Sequence, residues 1–513
     1  MQSKLLLVGC LASVLAVPSY ADTIRAALNQ DLRSSQPGVN RDGNSDTVMA
    51  HVAEGLVSYD RGGNVQPLLA ETYAVSEDGL TYTFKLREGV KFHNGETMTS
   101  ADVKWSFDYY LDPETNWYCL EEVDGTNGLK IVSYDTPDDQ TFTITIDKPD
   151  AMFIDTLART DCGGTAILHE TSLNPDGTWN KPIGTGPFMF GEWKRGQSVQ
   201  FDKFDDYQSR SDESDGFVGK KDPMVDSIVF MAIPDAATVK IALESGDLDV
   251  ATIQESDVEE IRANPGLEVG LAWTPVRNTF ILQTRDPVLQ DVRIRQALAI
   301  SLNYEELVAS VTEGLGKVNN SPVYDTSNFY TEVQQQGFEY NPDKARELLA
   351  EAGYNGEEIV VMCNKRAAVP SFNMSVLAQQ MWQAVGLNVR LEVLDWPTQL
   401  DKYRSGDHMM QATTYSSRFD VASGFEQISG NKDDQPRKVW ENPDALELID
   451  QALATLDPAK RQPLFDELHK MILHDVPIII THNDVSPIAY STEIKGMDPW
   501  TSPMVLWNLS RGE

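Results

Sequence analysis

The chain has 513 residues, 41% of them hydrophobic and 23% charged, with a formal net charge of −36. That length exceeds one ordinary hydrophobic core and predicts two or three domains, and the balance of apolar and charged residues excludes a disordered chain. The acidity argues against nucleic acid as a partner, because a phosphate backbone needs clustered Lys and Arg; it reads instead as a solvated surface.

The first residues, "MQSKLLLVGCLASVLAVPSYAD", place Lys4 before an apolar run from Leu5 to Val17, then small residues Ser19 and Ala21 before Asp22. This is the pattern of a secretory signal peptide over 1–21, too short for a membrane span. A lipid-attachment reading of Cys10 fits less well, since only Leu5 to Gly9 would remain as the apolar run. No later apolar stretch approaches about 18 residues, so the expectation is an exported protein, soluble after cleavage near Ala21, with no direct membrane insertion. Cleavage leaves Cys119, Cys162 and Cys363. In an oxidising compartment a pair is expected, Cys119 with Cys162, because both sit in one polar, loop-rich region; the alternative is three buried free thiols. Without a CxxC or a nearby His spacing, no metal site is expected.

In chain order, "SDTVMAHVAEGLVSYD" carries Val48, Val52 and Leu56 four apart and predicts a helix with one buried face. "LTYTFKL" (80–86) alternates as a strand does, and "REGVKF" leads into a turn at Asn94-Gly95. "TSADVKWSFDYYL" opens with Thr99 and has Asp102 three later, an acidic variant of the capping box. "QTFTITI" (140–146) is another alternating strand. Further on, "NPDKARELLAEAG" has Asn341 as N-cap, Pro342 at the first helical position and Gly353 as stop. "EIVVMC" (358–363), the helix "SFNMSVLAQQMWQAVG" (371–386) and the alternating "LNVRLEVLDW" form a right-handed βαβ crossover. Ligands of such units lie beyond the C-terminal strand ends, which marks Asp395-Trp396. The next strand, "HMMQATTYS", runs into Ser417, Arg418 and Asp420.

Catalytic signatures fail. "HETSL" at 169 has Leu173 where a zinc-protease helix needs its second His, and "GTGPF" (184–188) has Met189 where a dinucleotide loop needs its third Gly. No P-loop or GxSxG elbow occurs, and acidic pairs such as Glu121-Glu122 are too common in this composition to single out. The expectation is a protein that is not an enzyme and needs no cofactor.

Several long stretches carry a resemblance: "LAETYAVSEDGLTYTFKLREGVKFHNGETMTSADVKWSFDYYL" (69–111), "IGTGPFMFGEW" (183–193), "IPDAATVKIALESGDLDV" (233–250), "DPVLQDVRIRQALAISLNYEELV" (286–308) and "NPDKARELLAEAGY". Together they resemble the extracytoplasmic solute-binding proteins of family 5, the peptide/opine/nickel class that serves ABC importers. The resemblance covers essentially the whole mature chain. It implies an α/β fold of the bilobed periplasmic-binding-protein type (class II, the large variant with an inserted subdomain), with mixed sheets flanked by helices. Mapped here, lobe I is 22–65 with 184–272 and 484–513, the inserted subdomain is 66–183, and lobe II is 273–483. Gly184 and Gly186 are expected to permit a tight backbone path, and Trp105 and Phe107 to belong to the subdomain core.

The resemblance also bears on "TTYSSRFDVASG" (413–424). Members similar to dipeptide and oligopeptide binders have an acidic residue in this loop, in a Trp-Ser-x-Asp-Tyr-like pattern, that pairs with the peptide α-amino group. Here Arg418 falls at that position and Tyr415 at the Trp. Branches similar to glutathione-type binders carry Arg-x-Asp-Pro, whereas Asp420 is followed by Val421. A guanidinium cannot neutralise an ammonium, but it binds carboxylate or phosphate through two parallel hydrogen bonds. Two readings stand. Either Arg418 holds a ligand anion while Asp420 orients it or takes an amine, or the two form a salt bridge at the rim, worth about 0–1 kcal/mol. Trp396 and Tyr415 are expected as apolar walls, and the resemblance adds Asn278 and Gln283 as polar ligand contacts. The implied role is a monomeric periplasmic protein that captures a short or modified peptide with a free carboxylate by hinge closure and delivers it to an ABC permease. An opine-like or sugar-derived anion is the alternative ligand, and a secreted hydrolase the distant alternative.

Overall fold

One ten-stranded mixed sheet runs through both halves of the molecule. From one edge its strands are Val389–Val393, Ile359–Cys363, Met410–Tyr415, Leu267–Leu282, Ile478–Ser491, Val250–Thr252, Thr23–Leu28, Ser227–Ala232, Ser198–Lys203 and Phe188–Lys194. The structure is a computed structural model that describes residues 22–366, 369–416, 418–500 and 504–512; the expected signal peptide lies outside the described residues.

Two strands join the lobes. Leu267–Leu282 and Ile478–Ser491 pair antiparallel from Leu267↔Ser491 to Ile281↔Ile478, with the register broken between Trp273 and Arg277. Pro275 lies in that break. It has no N–H to give to a ladder, so pairing lapses there. Three residues, 274–276, then stand opposite Asp484 alone, a bulge fastened by Asn483 Nδ2 donating to the Val276 carbonyl at 3.1 Å. Before the bulge the pair continues into the first lobe's sheet through Val250–Thr252; after it, the long strand pairs with Met410–Tyr415, Arg277 opposite Tyr415.

The inserted region has its own antiparallel sheet of Ala70–Val75, Thr81–Leu86, Thr141–Ile146 and Ile131–Asp138. Helix Ser100–Leu111 packs on it, its start fixed by the Thr99 N–H and hydroxyl donating to Asp102 Oδ2 at 2.8 and 2.9 Å. Phe107 lies in that core, while Trp105 stacks on Tyr109 with ring centroids 5.5 Å apart. Cys119 and Cys162 are disulfide-bonded with their Cα atoms 5.4 Å apart, and Cys363 is a buried free thiol.

In the second lobe, helix Pro342–Ala352 begins where Asn341 Oδ1 accepts the Lys344 N–H at 2.9 Å. Strand Ile359–Cys363, helix Ser371–Ala384 and strand Val389–Val393 form a parallel crossover, Ile359 beside Val389. Trp382 of that helix is wholly buried, edge-on to Phe280 at 5.0 Å. Burying an aromatic of this size is worth about 1.5–3 kcal/mol over leaving it exposed.

The helix expected over 45–60 is shorter. It spans Gly43–Met49, and Val52 and Leu56 are buried outside it. The carbonyls of His51 and Val52, which a continuing helix would use, instead accept the N–H groups of Phe188 and Gly186, each at 3.0 Å. The approach demands glycine: a Cβ at Gly184 would lie 2.3 Å from the Val52 carbonyl oxygen.

Candidate functional site

Strands Ile359–Cys363, Val389–Val393 and Met410–Tyr415 are parallel, so their C-terminal ends reach one edge of the second lobe's sheet. The long strand leaves for the first lobe at that same edge, which makes it the floor of the interlobe cleft. Three short segments emerge there: Asn364 to Arg366, Asp395 to Trp396, and the loop with Ser416 and Arg418.

Arg366 lies 3.9 Å over the Trp396 ring, a cation–π contact that fixes the plane of the guanidinium. Its Nε donates to Asn364 Oδ1 at 3.1 Å. Asn364 is itself held by Gln399, 2.8 Å away, and Gln399 by the Ala412 carbonyl at 3.0 Å, so a chain of buried amides positions the arginine. Trp396 is half-buried and opens helix Trp396–Ser405, whose N-cap is Asp395.

Arg418 reaches across to the first lobe, its Nη1 3.8 Å from Asp161 Oδ2. Asp161 also takes two hydrogen bonds from Arg159, both 2.9 Å, and adjoins Cys162 of the disulfide. Burial opposes its charge, but the hydrogen bonds from Arg159 and the fields of Arg159, Arg418 and Arg41 hold the Asp161 carboxyl below its ordinary range. The lobes also touch beside this pair. Phe419 packs on Tyr59 with centroids 4.4 Å apart, the Tyr324 hydroxyl donates to the Gly62 carbonyl at 3.2 Å, and the Ala151 N–H donates to the Leu453 carbonyl at 2.6 Å.

Three of the expected ligand contacts have other partners, and a fourth lies elsewhere in the lobe. Asp420 neither orients Arg418 nor is open to an amine: it caps helix Val421–Glu426 and accepts both Nη atoms of Arg461 at 2.8 Å. A buried guanidinium needs a matching carboxylate, and Arg461 claims this one. Nor do Arg418 and Asp420 pair with each other at the rim, because they face different partners. Tyr415 is not a cleft wall; it is buried in a second-lobe core, its hydroxyl 3.2 Å from that of Tyr403. Asn278 is wholly buried beside the bulge, accepting from Thr414 Oγ1 at 2.7 Å with its amide nitrogen 3.1 Å from His482 Nε2 and 3.3 Å from Asp484 Oδ1. Burial pushes Asp484 up to about 6 and His482 down to about 4, so this hinge network carries less charge than its composition suggests. Gln283 lies past the far end of the long strand, six residues and about 20 Å from Arg277 at strand rise.

Two arginines escaped the sequence reading. Arg366 follows a crossover strand just as Trp396 does, and the strand-end rule that marked Trp396 would have found it. Arg277 gives no such signal. It is 3% exposed, donates to Gln427 Oε1 at 2.8 Å, and has no carboxylate within ion-pair distance among the described residues. Burial lowers its pKa to about 10. The cluster that could suggest a metal centre, Cys119, Asp161 and Cys162, is the disulfide with its neighbouring carboxylate, so its sulfurs are already spent.

Comparison with known proteins places this geometry. The family profile of bacterial extracellular solute-binding proteins, family 5, matches residues 64–435. Heme-binding protein A of Haemophilus influenzae is 26% identical over 469 residues, covering 86% of this chain and 83% of its own. The dipeptide-binding protein of Escherichia coli is 28% identical over 480 residues, covering 85% and 84%. The solved structure of HbpA2 from Haemophilus parasuis superposes with a TM-score of 0.84 at 24% identity over 96% of this chain and 100% of that one, a likeness of fold. With two lobes joined by a crossing strand pair and a cleft at the strand ends, the chain belongs to the family 5 bacterial extracellular solute-binding proteins.

Proposed function

We propose that this protein captures a short or modified peptide through its free carboxylate in the interlobe cleft, closes over it, and delivers it to the permease of an ABC importer. The observation that carries the reading is the pair of guanidinium groups at the strand ends, Arg366 stacked on Trp396 and Arg418 facing Asp161. The nearest carboxylate of the same loop, Asp420, is consumed by Arg461. Such an edge favours an anionic group over an ammonium, and Arg366 offers a planar fork suited to two parallel hydrogen bonds. The peptide-binding relatives supply the ligand class. Export to the periplasm, action as a monomer and release of the ligand unchanged belong to the same reading.

The test is a thermal-shift screen of dipeptides, tripeptides and glutathione against their C-terminal amides, with native mass spectrometry identifying what is bound. At a hundredfold excess over Kd, a ligand raises stability by about 2.7 kcal/mol. The free acids should shift the transition and the amides should not. Arg366→Ala should abolish the shift, and Arg418→Ala should weaken it. Equal shifts from acid and amide would refute carboxylate recognition, and steady conversion of the peptide by the purified protein would refute a transport role.

A further inference from the structure

At the opposite edge of the second lobe's sheet lies a cavity of ≈ 610 Å³, under helix Trp396–Ser405 and against the sheet face that carries Val360 and Met362. This is within the range of small-molecule sites, about 300–1,000 Å³. Its outer cations are neutralised: Arg285 by Glu441 at 2.7 Å, Arg390 by Glu358 at 3.1 Å, and Lys402 by Glu392 at 3.4 Å. The inner groups are not. Lys432 is 4% exposed, and its Nζ donates to Thr284 Oγ1 at 2.8 Å. No carboxylate lies within ion-pair distance of that ammonium among the described residues; Glu441 accepts the Lys432 backbone N–H instead. Gln283, 7% exposed, has its Oε1 buried without a hydrogen-bond partner; both ring nitrogens of His408 are buried, with the Lys402 backbone as the polar group beside the ring.

Each of these is costly by itself. A buried polar atom without a partner is destabilising, and a buried charge more so. That they come from three separate segments, converge on one cavity and include the ammonium is the pattern expected where a ligand completes the bonding. We propose that this cavity is a second solute site, separate from the interlobe cleft, which takes a small molecule through an oxyanion, carboxylate or phosphate. The Lys432 ammonium has two N–H groups beyond the one given to Thr284. Burial lowers His408 to about 4, so at neutral pH its ring supplies one donor and one acceptor. The Gln283 amide adds a group that reads the polar body of the solute beside its anion.

The experiment uses the full exported chain. Crystals are soaked in selenate, whose anomalous signal locates the anion without a variant, and binding of inorganic phosphate and of glutarate is titrated calorimetrically. The proposal expects a selenate peak within hydrogen-bond distance of Lys432 Nζ, saturable binding of at least one probe, and a tenfold or greater loss of that affinity in Lys432→Met. Gln283→Leu should lose severalfold and stands in if Lys432→Met does not fold. Phosphate binding without glutarate binding assigns a phosphate-bearing solute, and the reverse a carboxylate. Absence of a peak at Lys432, or undiminished affinity in the variants, overturns the site.

Discussion

Lys221 in the first lobe and Lys432 in the second are both buried, and the two are treated differently. In the first lobe Lys221 meets Glu54 at 2.7 Å with both side chains almost fully buried. The glutamate also accepts from Tyr207 and Thr185 at 3.0 and 3.1 Å, and the Trp507 ring lies 4.6 Å from the ammonium. In the second lobe Lys432 has a threonine hydroxyl and a cavity. A buried ion pair with its lone pairs satisfied reads as architecture, because desolvation has been offset inside the fold. A buried ammonium without a carboxylate leaves that offset to something outside the chain. The same contrast in distance separates Asp420, 2.8 Å from Arg461, from Arg418, whose Nη1 stands 3.8 Å from Asp161.

The contrast breaks most sharply at Glu54. Glu54→Gln strands the Lys221 ammonium in the core and should cost about 3–5 kcal/mol, seen as a lower midpoint in chemical unfolding. A loss below 1 kcal/mol would mean that water reaches the pair. Lys432→Met, close in volume, should change stability by less than about 1.5 kcal/mol, because no ion pair is lost. A loss as large as that of Glu54→Gln would erase the distinction. A further effect is on pH dependence. Burial lowers the Lys432 pKa to about 8 from its ordinary 10.5, with Glu441 opposing and Arg285 and Arg295 adding to the shift. Between those values the unfolded chain holds a proton that the folded chain has released, so stability rises with pH across the window. Lys432→Met should flatten that rise, measured as thermal midpoints from pH 7.5 to 10.5.

Much of the frame could be read from local chemistry. Asn341 with Pro342 brackets the start of its helix, Thr99 with Asp102 does the same, and the crossover from Ile359 to Val393 follows from apolar period and turn residues alone. The strand ends were legible, and Trp396 and Arg418 each follow one. What failed was partner choice. Whether Asp420 serves a ligand depends on Arg461, 41 residues away on another helix, and no spacing rule contains that. Asn278 looks like a ligand contact until His482 and Asp484 are brought against it from 204 and 206 residues away. Gln283, Lys432 and His408 are ordinary polar residues in sequence, and only the fold gathers them around one cavity.

The crossing strand pair also limits how the lobes can move. Because one hydrogen-bonded sheet passes from lobe to lobe, sliding or twisting them apart would tear ladder bonds on both sides of the bulge at 274–276. Bending at the bulge breaks none of them. The shared sheet thus resists shear and twist more than it resists bending at 274–276.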